Sequence, residues 1–167
     1  GTYNNFMGYQ AGFNATTAAN AVAIGQSALG LGVLTGSNNT AIGRNTGYDL
    51  TSGEYNFFAG YNAGFNATTA SHAVAIGYQA IGLGVMTGTD NVAIGRQTGY
   101  DLTSGAHNIF MQYQAGTNVT TGSYNVIHGF QAGLNATTAD NTIAIGKNAI
   151  GLGVLTGDGN TAIGHDA

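Results

Sequence analysis

The chain has 167 residues, 29 of them Gly, with no Pro, Cys or Trp, and only 6% of it is charged, for a net charge of −4. Average proteins are about 25% charged, so charges this sparse argue against nucleic acid or an anionic membrane as partner. The absence of Cys excludes disulfides and thiol chemistry. A hydrophobic fraction of 43% is enough for a folded core, and no apolar run approaches the ~18 residues of a membrane-spanning helix.

In chain order the sequence is one unit repeated. The Gly that closes each "AIG"-like stretch recurs at Gly8, Gly25, Gly43, Gly60, Gly77 and Gly95, then as Gln112, then at Gly129, Gly146 and Gly164. The spacings are 17 or 18 residues throughout, too short for an independent fold and right for one coil of a solenoid. Three flavours follow one another. One ends like "AGFNATTA" (Ala11 to Ala18), one like "LGLGVLTG" (Leu29 to Gly36) and one like "TGYDLTSG" (Thr46 to Gly53). After two rounds the first flavour occurs twice running, and the extra residue always falls in the "LGLGV" flavour.

In six of the ten units the positions three and one before the anchor are both β-branched, as in Val22 and Ile24, Val74 and Ile76, or Val92 and Ile94. Period-two alternation of this kind predicts a strand with one face in a core. The buried column is therefore expected to be Ile24, Ile42, Ile76, Ile94, Ile145 and Ile163. Further apolar columns after the anchor predict a second strand in each coil, with Gly and Asn at the turns between. One is Phe13, Leu31, Tyr48 and Phe65; another is Val33, Leu50, Val85, Leu102, Val119 and Val154. The predicted fold is all-β, a parallel β-solenoid (β-roll) of about ten coils. Residues 1–167 form a single repeat domain. The pattern is already under way at both ends, so the chain is expected to be an internal segment of a longer fibrous polypeptide.

Between the two β-branched columns lies a third: Phe6, Ala23, Ala41, Phe58, Ala75, Ala93, Phe110, Ile127, Ala144 and Ala162. Alternation puts it on the opposite face. Both faces of the strand are then apolar, and a thin roll has one interior, so the second face calls for copies of the same chain around an axis. Phe6, Phe58, Phe110 and Ile127 are the expected interface of a homotrimer. The alternative is a lone solenoid with a broad interior.

Other residues carry weaker signals. The column after the anchor holds Tyr9, Gln26, Arg44, Tyr61, Tyr78, Arg96, Tyr113, Phe130, Lys147 and His165, and with them every Lys and Arg of the chain. Tyr9, Tyr61, Tyr78, Arg96 and Tyr113 form a candidate ridge for a cell-surface glycan or protein receptor. Its structural alternative is that the rings cover neighbouring coils and stiffen the rod. Asp49 with Arg44, and Asp101 with Arg96, read as solvated pairs. His72 and His107 share a column roughly 10 Å apart, too far for a shared metal; His128, which replaces the usual Ile, would meet its copies at a three-fold axis. The sequons at Asn14, Asn38, Asn66, Asn118 and Asn135 suit Asn stacking between coils better than glycosylation. "GLGVLTG" has glycines spaced GxGxxxG with no helix pattern after it, so it reads as turn glycine. No catalytic residue, metal or cofactor is called for, and no enzymatic activity is expected.

The units "NNTAIGRNTGYDLTSGEYN" and "NVAIGRQTGYDLTSGAHN" resemble the tandem repeats of bacteriophage tail fibres. They are also similar to the β-roll head of YadA-like trimeric autotransporter adhesins, whose unit is shorter, nearer 14 residues. The resemblance implies an extracellular homotrimeric fibre, on a virion tail or a bacterial surface, that presents a receptor-binding region to a host cell. A self-polymerising surface filament is the alternative. A left-handed β-helix acyltransferase would need a six-residue repeat through each coil, which only "VAIGQSALGLGV" approaches. An ice-binding solenoid would need unbroken Thr rows where Thr16-Thr17, Thr68-Thr69 and Thr137-Thr138 are interrupted by "LTG" and "TSG".

Overall fold

The computed structural model describes residues 1–151 and 153–167. Ten three-residue strands form one sheet in sequence order: β1 (Asn5–Met7), β2 (Val22–Ile24), β3 (Thr40–Ile42), β4 (Phe57–Ala59), β5 (Val74–Ile76), β6 (Val92–Ile94), β7 (Ile109–Met111), β8 (Val126–His128), β9 (Ile143–Ile145) and β10 (Thr161–Ile163). Every neighbouring pair is parallel and in register, so Val74 lies beside Val92, Ala75 beside Ala93 and Ile76 beside Ile94. The fold is the expected β-solenoid. At about 4.8 Å per strand the ten coils rise on the order of 45 Å.

The second strand does not form. The rest of each coil is turn, and outside the sheet the described residues contain a single isolated bridge, Ala67 with Met86. In an ordinary coil the position five before the anchor, the anchor itself and the positions two and four after it all take positive φ, as in His72 (56°), Gly77 (128°), Gln79 (54°) and Ile81 (48°). These left-handed residues bend the chain around the sheet side of the coil; the stretch between Gly64 and His72 is free of them, yet it meets the next coil in only one bridge. Backbone hydrogen bonds still join successive coils there: Leu29 N donates to Thr46 O, Thr51 N to Thr68 O and Thr68 N to Met86 O, all within 3.1 Å.

The anchor is Gly for two reasons at once. Its φ, 123–142° across the column, is one that side chains rarely adopt. A Cβ on Gly77 would also come within 2.5 Å of the Gly95 carbonyl oxygen in the next coil. Gln112 is the exception, at φ 82°, with its amide 3.0 Å from His128 Nε2.

The faces of the strand are exchanged relative to the expectation. The Ala/Phe column points inward: Ala23, Ala41, Phe58, Ala75, Ala93, Phe110, Ile127 and Ala144 are fully buried within one chain. Phe58, Phe110 and Ile127 therefore have no surface to offer a three-fold axis, and Phe6 is partly open only because it belongs to the first coil. The Val and Ile columns point outward, with Ile42 40% and Ile145 37% exposed. Coil width decides this. A 17-residue coil bent at four corners encloses a narrow interior, which accepts one inward residue per strand. Two β-branched columns on that side would not fit at native packing density.

The interior is filled by exchange of large for small residues. In the Phe58 coil the other inward positions are Ala63, Gly64 and Ala67, and the Phe58 ring lies against Gly64 and against Gly47 of the coil before. Phe110 does the same with Gly116 and Gly99. Where the strand offers only Ala23 or Ala75, the turn supplies Leu29 and Leu34, or Ile81 and Met86. The extra residue of the "LGLGV" flavour matters here. It moves the inward position one place along, so that Leu34 and Met86 are buried while Val33 and Val85 are more than half exposed.

A buried Asn column lines one corner. Asn39, Asn56, Asn91, Asn108 and Asn125 are at most 2% exposed. Asn108 Nδ2 donates to Asn91 Oδ1 (3.1 Å) and to Gly122 O (2.8 Å), while Asn108 Oδ1 accepts from Asn125 N (3.0 Å). Asn39 and Asn56 repeat the arrangement. No buried side-chain polar atom among the described residues lacks a partner.

Two outcomes follow from this packing. Phe58→Ala is expected to lower the unfolding free energy by about 3–5 kcal/mol, read from urea denaturation followed by circular dichroism. Asn108→Ala strips partners from Asn125 N and Gly122 O and is expected to cost about 1–3 kcal/mol in the same titration.

Candidate functional site

From Arg44 to Phe130 the column after the anchor is a continuous stacked ladder. The Arg44 guanidinium lies 5.7 Å from the Tyr61 ring centroid. Tyr61 and Tyr78 stack at 5.3 Å with planes 13° apart. Arg96 then sits between Tyr78 (5.5 Å) and Tyr113 (5.6 Å), and Tyr113 stacks on Phe130 at 5.1 Å. The structure thus brings Tyr61, Tyr78, Arg96 and Tyr113 together on one exposed ridge, while Tyr9, 71% exposed, lies beyond the stack. The cause is the in-register coil: equivalent residues recur at about 4.8 Å, close to the stacking distance of aromatic rings.

That stacking limits what the ridge can bind. Rings that face along the solenoid have their π faces covered by the next rung, so a sugar approaching from the side meets ring edges, phenol hydroxyls and guanidinium N–H groups. The ion pairs expected of the two arginines are absent. Among the described residues the only close contacts of a cationic or basic side chain with a carboxylate involve His, and Arg44 and Arg96 are engaged with Tyr instead. Asp49 and Asp101 are half-buried, and burial raises both carboxyl pKa values above the usual 3.8.

A second ridge, missed in the sequence, lies five residues before the anchor. Tyr55 stacks on His72 at 5.3 Å, and His107 on Tyr124 at 4.9 Å. Asp90 occupies the rung between, its two oxygens 4.0 Å from His72 Nδ1 and 3.9 Å from His107 Nδ1. The signal was present: Tyr55, His72, Asp90, His107 and Tyr124 keep one offset from their anchors. The two rings lie on opposite sides of the carboxylate, and no group of three or more metal-ligating side chains occurs among the described residues. His128 stands on the outward face of β8.

The expected Asn stacking occurs in part. Asn118 donates to Asn135 at 2.6 Å, while Asn14 and Asn66 donate to Leu31 O and Leu83 O. Inner Thr residues are also engaged in the stack, with Thr103 Oγ1 donating to Thr120 O and Thr120 Oγ1 to Thr137 O.

The third surface is the sheet itself. Each of the ten strands presents two residues outward, twenty in all. They are Val, Ile, Phe, Met, Ala or Thr except for Asn5 and His128, and none is Asp, Glu, Lys or Arg. No protein-family model, curated protein or solved structure matches the chain.

The half-buried carboxylates give a pH expectation. A raised folded-state pKa means that the folded chain holds these protons to higher pH than the unfolded chain does. Their effect therefore disfavours folding at neutral pH, and it fades as pH falls through the carboxylate range. Asp49→Asn with Asp101→Asn should melt above the parent at neutral pH, and the gap should close below the ordinary value of 3.8, as measured by thermal denaturation at each pH.

Proposed function

We propose that this chain is a structural and attachment segment of an extracellular fibre, a rod that holds a receptor-binding region away from the virion tail or bacterial surface carrying it. The observation that carries the reading is the unbroken stack of ten coils in one parallel sheet. Such a stack sets length by coil number without changing its cross-section. The resemblance of the "NNTAIGRNTGYDLTSG" units to tail-fibre and adhesin repeats points the same way.

In this reading the fibre is a homotrimer, and its work is mechanical. Each coil is fixed to the next by backbone hydrogen bonds, by the buried Asn column and by the stacked outer ladders. Bending the rod would open these contacts on one side. The Tyr and Arg ladder stiffens it.

Residues 38–89 comprise one three-coil block, and Ser37 joined to Asp90 keeps the repeat in phase. Deleting the block is expected to shorten the particle by about 14 Å with its cross-section unchanged, as read by small-angle X-ray scattering. A particle whose longest dimension does not change with the deletion would sink the rod reading.

A further inference from the structure

The outward face of β1–β10 is bordered by charge in a polar order. On the border where the strands end lie Arg44, Arg96 and Lys147, all the Lys and Arg of the chain, with His165 at the last coil. On the border where the strands begin lie Glu54, Asp90, Asp140 and Asp158. Of the remaining acids, Asp49 and Asp101 lie in the turns beyond the ladder, and Asp166 is next to His165, which it contacts at 3.0 Å. The levels also match. Arg96 and Asp90 flank β6, Lys147 and Asp140 flank β9, and His165 and Asp158 flank β10; Arg44 flanks β3 and Glu54 flanks β4, one coil away.

We infer that this face is covered by a second copy of the same chain, running in the same direction and level with it coil for coil. Resting on the fibre reading, this replaces the Phe column with the Val and Ile face as the contact between copies.

Symmetry makes the choice of direction. Rotation about an axis parallel to the rod sets the end-of-strand border of one copy against the start-of-strand border of the next. Cations then meet carboxylates at the same height. Turning the second copy antiparallel sets like borders together, cation on cation and acid on acid, a juxtaposition that works against association. Between the borders nothing charged interrupts the apolar strip, so unpaired charges are not buried.

Area supports including the borders. Three strand residues by ten coils make a strip of roughly 10 by 45 Å, or about 450 Å², short of the roughly 800 Å² per partner of a stable interface. Adding one side-chain ridge on each side brings the footprint to about that value. Those ridges are the Tyr and Arg ladder and the His and Asp ladder. A contact confined to the apolar strip would be too narrow to hold, and one that reaches the ridges brings the complementary charges together.

The full chain lacks Cys, so single cysteines report level directly. Ile24→Cys lies on β2 and Ile145→Cys on β9, seven coils or about 34 Å apart in a parallel pair and opposite one another in an antiparallel one. A short bismaleimide is expected to link Ile24→Cys chains to each other, and not to link Ile24→Cys chains to Ile145→Cys chains in a mixture. Arg96→Glu with Lys147→Glu should weaken assembly at least tenfold by light scattering, and adding Asp90→Lys with Asp140→Lys should restore it. Ile94→Asp should keep the parent circular dichroism spectrum and lose the oligomer. Cross-links only between Ile24→Cys and Ile145→Cys, a monomeric parent, or a double charge swap that fails to restore assembly would each overturn the inference. A rod that still shortens on block deletion while these tests fail would leave the fibre reading standing without this interface.

Discussion

Everything in this molecule depends on hydrogen bonds made between coils. A 17-residue coil with a three-residue strand and several left-handed corners satisfies few of its own peptide groups, and the remainder bond to the coils on either side. Buried peptide groups left unpaired are costly, so the coils must keep one length, one register and one close approach. The anchor glycines follow from the close approach, because a Cβ there would strike the next coil's carbonyl. The buried Asn column follows from the register. An Asn side chain can donate across the coil and accept from the backbone of the next coil, as Asn56 does toward Ala70 O and from Ala73 N. Where the column carries Ala, at Ala21 and Ala73, the side chain of the preceding Asn still reaches forward to the Ala amide.

The repeat length, the parallel register, the anchor glycines and the β-solenoid were all legible in the sequence, because spacing alone determines them, whereas its having one sheet was not. The side of the strand that faces inward was not legible from hydropathy. Val, Ile, Ala and Phe are all apolar, and period-two alternation says that faces differ without saying which is inside. Volume would have told. Phe58 and Phe110 are accompanied by Gly64 and Gly116 four places after the anchor, and the Ala23 and Ala75 coils carry Leu29 and Ile81 there. Side chains that trade size in this way share a closed space, whereas residues on an open face have no reason to. The Val and Ile columns show no such trade. The lack of a second strand was not legible for a related reason: the apolar column through Phe13, Leu31 and Tyr48 marks a ridge on turns, and apolar spacing does not reveal positive φ at Ile81 or Ile150.

In-register stacking also shapes the candidate site. One residue per coil in a column becomes a ladder with a rung about every 4.8 Å, so aromatic and cationic side chains meet their own kind before they meet a ligand. Arg96 between Tyr78 and Tyr113 is a structural arrangement by its geometry. The column itself was visible in the sequence, but the covering of its ring faces required the coil spacing. The surface left open by the ladders is the sheet face, where short β-branched side chains cannot cap one another.

The three-coil alternation ties the core to that surface. A Phe ring needs a coil of small residues around it and Gly in the coil before, so large strand residues cannot occupy every level. The period of the Phe column, Phe6 to Phe58 to Phe110, is 52 residues, and Arg44 and Arg96 are separated by the same 52. After Phe110 the first flavour of coil is repeated at once, and the inward residue beside Phe110 on the next strand is Ile127, smaller than a second ring would be. The next cation, Lys147, falls in a coil of the second flavour, 51 residues after Arg96, where the earlier coils of that flavour carry Gln26 and Tyr78. Asp140 precedes the same strand, β9. Acid and cation thus flank one strand on each side of the break in the repeat, at β6 and again at β9, which is the match that contacts between copies level with one another use.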